Sequence, residues 1–217
     1  MRPLLWALLL VVSTATLAEP RAETNEWSLN LVLVGSKRYL FEGGASARND
    51  GGAGIGLSLT RNLNDYFAAG VEGTLAQFNY RATIAPGRGN AGASFDSHGE
   101  MESATLRAHA TWNLLRGPVT PFLTAAAGVI FLDPNFATEP PANACWVYPW
   151  YGEVCGAAAP RTPLARLSYG AGAGLRFDLP DRLGFVRAFV GGEWIEIPEA
   201  LSRVGYVQLR ADFGVRF

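Results

Sequence analysis

Tyr206-Val207-Gln208-Leu209-Arg210-Ala211-Asp212-Phe213-Gly214-Val215-Arg216-Phe217 alternates without a break. Val207, Leu209, Ala211, Phe213, Val215 and Phe217 hold one parity, and Tyr206, Gln208, Arg210, Asp212, Gly214 and Arg216 the other. Successive side chains of a strand point to opposite faces, so a period of two predicts a β-strand with one apolar and one polar face. The pattern recurs upstream. Trp27, Leu29, Leu31 and Leu33 oppose Ser28 and Asn30, and Ile55, Leu57 and Leu59 oppose Gly56, Ser58 and Thr60. Phe67, Ala69, Val71 and Leu75 oppose Gly70, Glu72 and Thr74; Ala104, Leu106, Ala108, Ala110 and Trp112 oppose Thr105, Arg107, His109 and Thr111. Further on, Leu167, Tyr169, Ala171, Ala173, Leu175 and Phe177 oppose Arg166, Ser168, Gly170, Gly172, Gly174 and Arg176, and Val186, Ala188, Val190 and Trp194 oppose Arg187, Phe189, Gly191 and Glu193. Residues 122–132 make one more strand whose phase stays open, with Leu123, Ala125, Val129 and Phe131 slightly preferred to Phe122, Ile130 and Leu132 as its apolar face. Eight strands are expected.

The rest of the chain decides what the apolar face meets. Its 217 residues are one domain's length, and a formal charge of −1 without a basic run leaves no footprint for gripping nucleic acid. Met1-Arg2, the apolar run Leu4 to Val12 and the small residues of Thr16-Leu17-Ala18 predict a cleaved secretory signal over 1–18, leaving 19–217 as one barrel domain. Beyond it no stretch approaches the ~18 apolar residues of a membrane-spanning helix. Mean hydropathy is nevertheless positive, +0.11. Such a chain either packs a soluble all-β core or turns its apolar face to lipid.

Connection lengths favour lipid. Tight turns are expected at Asn62 to Asp65, Leu115 to Pro118 and Leu179 to Gly184, and longer connections over 38–51, 81–98, 133–162 and 198–204. Short turns at one end and long loops at the other are the plan of outer-membrane barrels. Trp27, Phe67, Trp112, Phe177, Phe185 and Phe217 fall beside the turns or termini, where an aromatic girdle would lie, with Trp194 and Phe131 towards the other end. The expected fold is all-β: an eight-stranded antiparallel up-and-down transmembrane β-barrel with short periplasmic turns and longer external loops. A secreted soluble barrel is the alternative.

The final stretch, Gln208 to Phe217, resembles the C-terminal assembly signal of bacterial outer-membrane barrels, with Phe213, Val215 and the last residue Phe217 carrying the pattern. With the leader and eight strands, the whole chain resembles the small OmpA-type and OmpX-type barrels and opacity-like surface proteins. The resemblance implies insertion by the outer-membrane assembly machinery, contact with outer-membrane lipid and lipopolysaccharide, and both termini in the periplasm.

Eight strands leave an interior only wide enough for side chains. Buried charges persist there only when paired, so Glu72, Arg107, Arg166, Arg176, Arg187, Glu193, Arg210 and Asp212 are expected to form an ion-pair network that plugs the lumen, joined by Asp178. Gly170, Gly172 and Gly174 are expected to make room for arginines from neighbouring strands. Their spacing, like that of Gly52 to Gly56, mimics a nucleotide fingerprint, but neither row opens a helix.

Cys145 and Cys155, both in the longest loop of an exported chain, are expected to form a disulfide. Trp146, Tyr148, Trp150 and Tyr151 between them suggest a contact platform for an external ligand, or else a cap folded over the barrel mouth. Two Cys without a nearby His point to no metal, and no cofactor motif occurs. Asp96-Ser97-His98 and the pair Ser103 and His109 are the only candidates for acyl chemistry. Adjacent strand residues face opposite ways, so the triplet cannot act as a relay, and no enzymatic activity is expected. A monomeric structural or surface-interaction (adhesin-like) barrel is the leading functional reading, a narrow passive channel for small solutes the second, and a lipid A-modifying acyl enzyme the third.

Overall fold

The computed structural model describes residues 21–136, 144–156, 160, 163–180, 184–198, 200–201 and 203–217; the expected signal segment 1–18 lies outside them. The strands in chain order are β1 (Asn25–Val34), β2 (Lys37–Leu40), β3 (Ser46–Asn62), β4 (Phe67–Pro86), β5 (Phe95–Asn113), β6 (Val119–Pro134), β7 (Ala144–Tyr148), β8 (Gly152–Gly156), β9 (Leu164–Asp178), β10 (Gly184–Ile195) and β11 (Val204–Arg216). Strands β1, β3, β4, β5, β6, β9, β10 and β11 each pair antiparallel with the next, and β11 returns to β1, so the sheet closes on itself. The fold is an all-β, closed, eight-stranded antiparallel barrel, and closure leaves the barrel strands no free edge. At the seam Leu29 stands opposite Phe213 and Asn30 opposite Asp212.

Alternation sorts the side chains radially. Leu29, Leu31, Leu57, Val71, Leu106, Leu123, Leu175, Val190 and Leu209, one or two from each barrel strand, are exposed on the outside as a continuous apolar belt. Glu26, Ser28, Asn30, Ser58, Thr60, Glu72, Arg107, His109, Thr111, Arg176, Arg187 and Asp212 are buried inside. The phase of β6 is settled in favour of the slightly preferred one: Leu123 and Phe131 face out, whereas Phe122, Ile130 and Leu132 are buried.

The barrel is taller than the belt. Much of the expected loops 38–51 and 81–98 is strand, because β3 begins at Ser46, β4 runs to Pro86 and β5 starts at Phe95. Beyond the belt the two faces exchange polarity, with Tyr80, Ala82 and Ile84 buried and Arg81 exposed. A β-bulge between Asn49 and Gly52, where Gly51 takes φ +97°, also switches the parity of β3, so Arg48 and Ile55 both face out. Alternation with a fixed apolar phase therefore stops at the belt although the strands continue.

Candidate functional site

The interior has three storeys. Nearest the tight turns, Glu26 sits among arginines. Arg176 donates to both its oxygens at 2.7 and 3.0 Å, Asn62 Nδ2 donates at 2.7 Å, Arg187 donates as well, and Arg216 Nε lies 3.6 Å away. Asp178 accepts from Arg176 Nε at 2.8 Å, Arg216 Nη2 at 2.9 Å and Arg21 Nη2 at 2.8 Å. Arg21 also donates to the Gly117 carbonyl at 2.6 Å, and its amide donates to Asp65 at 2.9 Å, so it ties two tight turns across the barrel mouth. The guanidiniums of Arg176 and Arg187 lie 4.3 and 4.6 Å from the Phe185 ring centroid.

In the middle storey Arg107 donates to Glu72 Oε1 at 2.6 and 2.9 Å and lies 2.6 Å from Glu193 Oε2. Arg210 donates to Glu72 and, at 2.5 Å, to Asp212 Oδ1. Asn30 donates to the same Asp212 oxygen at 2.9 Å and accepts from the Ser58 hydroxyl at 2.8 Å. His109 Nε2 is 3.1 Å from Thr60 Oγ1. The cavity beside this cluster, lined by Glu72, Arg107, His109, Arg210 and Phe189 among others, measures about 30 Å³, which is room for one or two waters.

The structure thus brings together Glu72, Arg107, Glu193, Arg210 and Asp212 in one cluster, and Arg176 and Arg187 in the other. Arg166 stands apart, level with Ile130 towards the long-loop end and donating to the Ala165 carbonyl at 3.3 Å. Glu26 was legible only as the polar parity preceding Trp27, and Arg21 precedes any alternation at all. Phe185 is not a girdle residue, because Val186 takes the outward position and turns Phe185 in beneath the arginines.

The glycine row also serves another purpose than the expected one. A Cβ on Gly172 would lie 2.5 Å from the Phe189 ring, and one on Gly174 would lie 2.6 Å from Phe122. Those two rings stack at 6.4 Å, so the row makes room for an aromatic pair. The glycine that admits an arginine is Gly128 on β6, where a Cβ would come within 2.9 Å of Arg107 Cγ. Gly172→Leu should therefore prevent a heat-resistant barrel from forming, since the Val190 carbonyl, 2.4 Å from the added Cβ, is backbone and cannot turn aside. Comparing the gel mobility of unheated and boiled samples checks this.

The third storey, at the long-loop end, is apolar. Tyr39, Phe41, Phe78, Tyr80, Ile84, Met101, Ile130, Leu132, Phe136, Ile195 and Val204 close the mouth from the barrel wall and loops. The hairpin β7–β8 lies over them, bound to the end of β4 by pairing of Ala85 with Val147 and of Pro86 with Trp146, and a disulfide joins Cys145 to Cys155. Its aromatics are no outward platform. Trp146, Tyr148 and Trp150 are buried, because the ring of Trp150 packs 5.5 Å from Tyr80 and 5.8 Å from Phe41, that of Trp146 4.9 Å from Phe95, and that of Tyr148 5.1 Å from Phe136. Tyr151 is half-buried, 6.1 Å from Phe136. Burial pushes the phenol of Tyr148 up to about 12.

Asp96 and His98 point outward while Ser97 is buried, so the three side chains do not converge. Asp96 accepts from the Thr83 hydroxyl at 2.9 Å, and Ser103 donates to the Ala76 carbonyl at 3.3 Å.

No family model and no curated protein matches the sequence. Among solved structures the chain is similar to Neisserial surface protein A, at 14% identity over 88% of this chain and 95% of that one, with a TM-score of 0.49. It is similar to the outer membrane protein OprG from Pseudomonas aeruginosa, at 12% identity over 90% and 96% of the two chains, with a TM-score of 0.48. It is also similar to Ail, the attachment invasion locus protein of Yersinia pestis, in complex with the heparin analogue sucrose octasulfate, at 16% identity over 90% and 99%, with a TM-score of 0.47. The assignment of the fold rests on the strand register.

Proposed function

We propose that this chain is an integral outer-membrane barrel, monomeric and without enzymatic activity, whose lumen is plugged and whose outer end serves a structural or surface-interaction role. The observation that carries this reading is the pairing of an uninterrupted apolar belt outside with buried, hydrogen-bonded ions inside. Lipid can solvate the first but not the second, and water the reverse. The alternation of turn and loop lengths supports tight turns and both termini in the periplasm and the capped end outside, with residues 1–18 removed on export. Phe213, Val215 and Phe217 act as the assembly signal. With the cap aromatics buried, contact with an external partner falls to exposed rim residues such as Lys37, Glu42 and Arg88.

Refolded protein should show a compact band when unheated and a slower one when boiled, and it should give no conductance steps in planar bilayers. Equal mobility, with the protein recovered soluble from the periplasm, refutes the membrane reading. Reproducible steps whose ion selectivity changes in Arg176→Gln would make it a narrow channel instead.

A further inference from the structure

Beyond the belt, four nitrogen-bearing side chains stand in one line across four neighbouring strands. Arg38 of β2 is the register partner of Arg48 of β3, Arg48 is that of Arg81 of β4, and Arg81 is that of His98 of β5. All four are exposed and border one groove of about 310 Å³. Like charges directly opposite each other destabilise a sheet, yet here Arg48 has an arginine on either side. Local compensation is partial. Asp50 accepts from Arg81 at 2.8 and 2.9 Å and lies 3.1 Å from Arg48 Nε, which holds these two guanidiniums side by side. Arg38 donates to the Ser46 hydroxyl at 3.5 Å. Asp96, also on the groove, accepts from Thr83 and keeps its charge, so three guanidiniums there face Asp50 and Asp96, and Glu100, one outward position below His98, accepts from Gln77 at 2.6 Å.

We propose that this row binds the phosphate groups on the saccharide headgroup of the outer-leaflet glycolipid, an inference that rests on the membrane reading above. Height and direction argue for a lipid. Arg81 lies six residues beyond Leu75 on β4, which is about 20 Å along the strand and roughly 14 Å above the belt at a tilt near 45°. That level is past the hydrocarbon and among headgroups. Side chains leaving a barrel wall point along the membrane plane, so their neighbour is a membrane component beside the protein. The planar guanidinium fork matches phosphate oxygens two at a time, and the bulge at Gly51 is what turns Arg48 to the lipid side.

The test measures the apparent affinity of refolded protein, in neutral detergent, for lipopolysaccharide. It compares wild type with Arg38→Gln/Arg48→Gln/Arg81→Gln, each first shown to give the compact unheated band. Each cation near an anionic surface contributes roughly fivefold, so the triple variant should bind on the order of a hundredfold more weakly. Wild type should lose a similar factor towards enzymatically dephosphorylated lipopolysaccharide, and inorganic phosphate alone should not compete. Equal affinity of variant and wild type, or equal affinity for the dephosphorylated lipid, overturns the proposal. Full competition by inorganic phosphate overturns the lipid source. Should the triple variant lack the compact band, Arg38→Gln, remote from Asp50 pairing, carries the same comparison with about a fivefold loss expected. A wild type without that band refutes the barrel, not the row.

Discussion

Glu26→Gln should lower the stability of the barrel by about 3–5 kcal/mol, the cost of removing one partner from a buried ion pair. The residue is 1% exposed and holds Arg176 through both oxygens, with Arg187 and Asn62 on the same carboxylate. Glutamine keeps the shape but presents an amide NH₂ to guanidiniums that can only donate. Arg176 would then be left with Asp178, shared with Arg21 and Arg216, and Arg187 with its cross-strand neighbour Asp212, already held by Arg210. The check is the urea midpoint at which the compact band disappears. Glu153→Gln is the control, because the Glu153 pair with Arg88 is 4.0 Å long and exposed and should contribute at most about 1 kcal/mol. Adding Arg187→Leu to Glu26→Gln should recover part of the loss, since neighbours sharing a partner are not additive. An unchanged midpoint in Glu26→Gln would mean that water reaches this storey and the plug is not closed.

Trp150→Ala should loosen the cap by about 3–5 kcal/mol, the usual cost of truncating a buried tryptophan, while the compact band persists. Trp150 is in the left-handed region at φ +68°, which costs a residue with a Cβ about 1–2 kcal/mol. Packing of its ring against Phe41, Tyr80 and Phe136 offsets that strain. Alanine keeps the strain and loses the ring. Trp150→Gly relieves the backbone and should therefore be less damaging than alanine, an inversion of the ordinary order. Amide exchange or limited proteolysis within 144–156 reads the effect. Protection equal to wild type in the alanine variant would show that the disulfide and the pairing with β4 hold the hairpin without the aromatic anchor.

The belt was legible because an outward apolar face imposes one rule on every strand that carries it. Leu209, Leu31 and Leu106 follow that rule irrespective of their neighbours, so the number of strands could be read from single segments. What lay beyond the belt obeyed a different rule. Tyr80, Ala82 and Ile84 alternate as cleanly as the belt does, in the opposite sense, and read as loop to a search for apolar residues facing out. Phe122, Ile130 and Leu132 blurred the phase of β6 because that strand borders an aromatic stack and the apolar storey as well as the belt. Phe185 and the glycines at 172 and 174 depart from the sequence expectation for a related reason. Their role depends on which side chain arrives from the adjacent strand, and register across strands is not contained in the period of any one of them. The same limit hid Glu26, whose partners on β9 and β10 are 150 and 161 residues away, and the cationic row, which exists only once four strands are laid side by side.

The seam has a kinetic meaning. Every hydrogen bond between β1 and β11 joins the beginning of the barrel to its last strand, as in the mutual pairing of Asn25 and Phe217 at 3.0 Å. Contacts of such long sequence separation are the slowest to form. A nascent chain therefore has no stable halfway barrel to rest in. Until β11 is in place the facing edges of β1 and β10 stay unpaired, and the step that seals the seam is the one that completes the barrel.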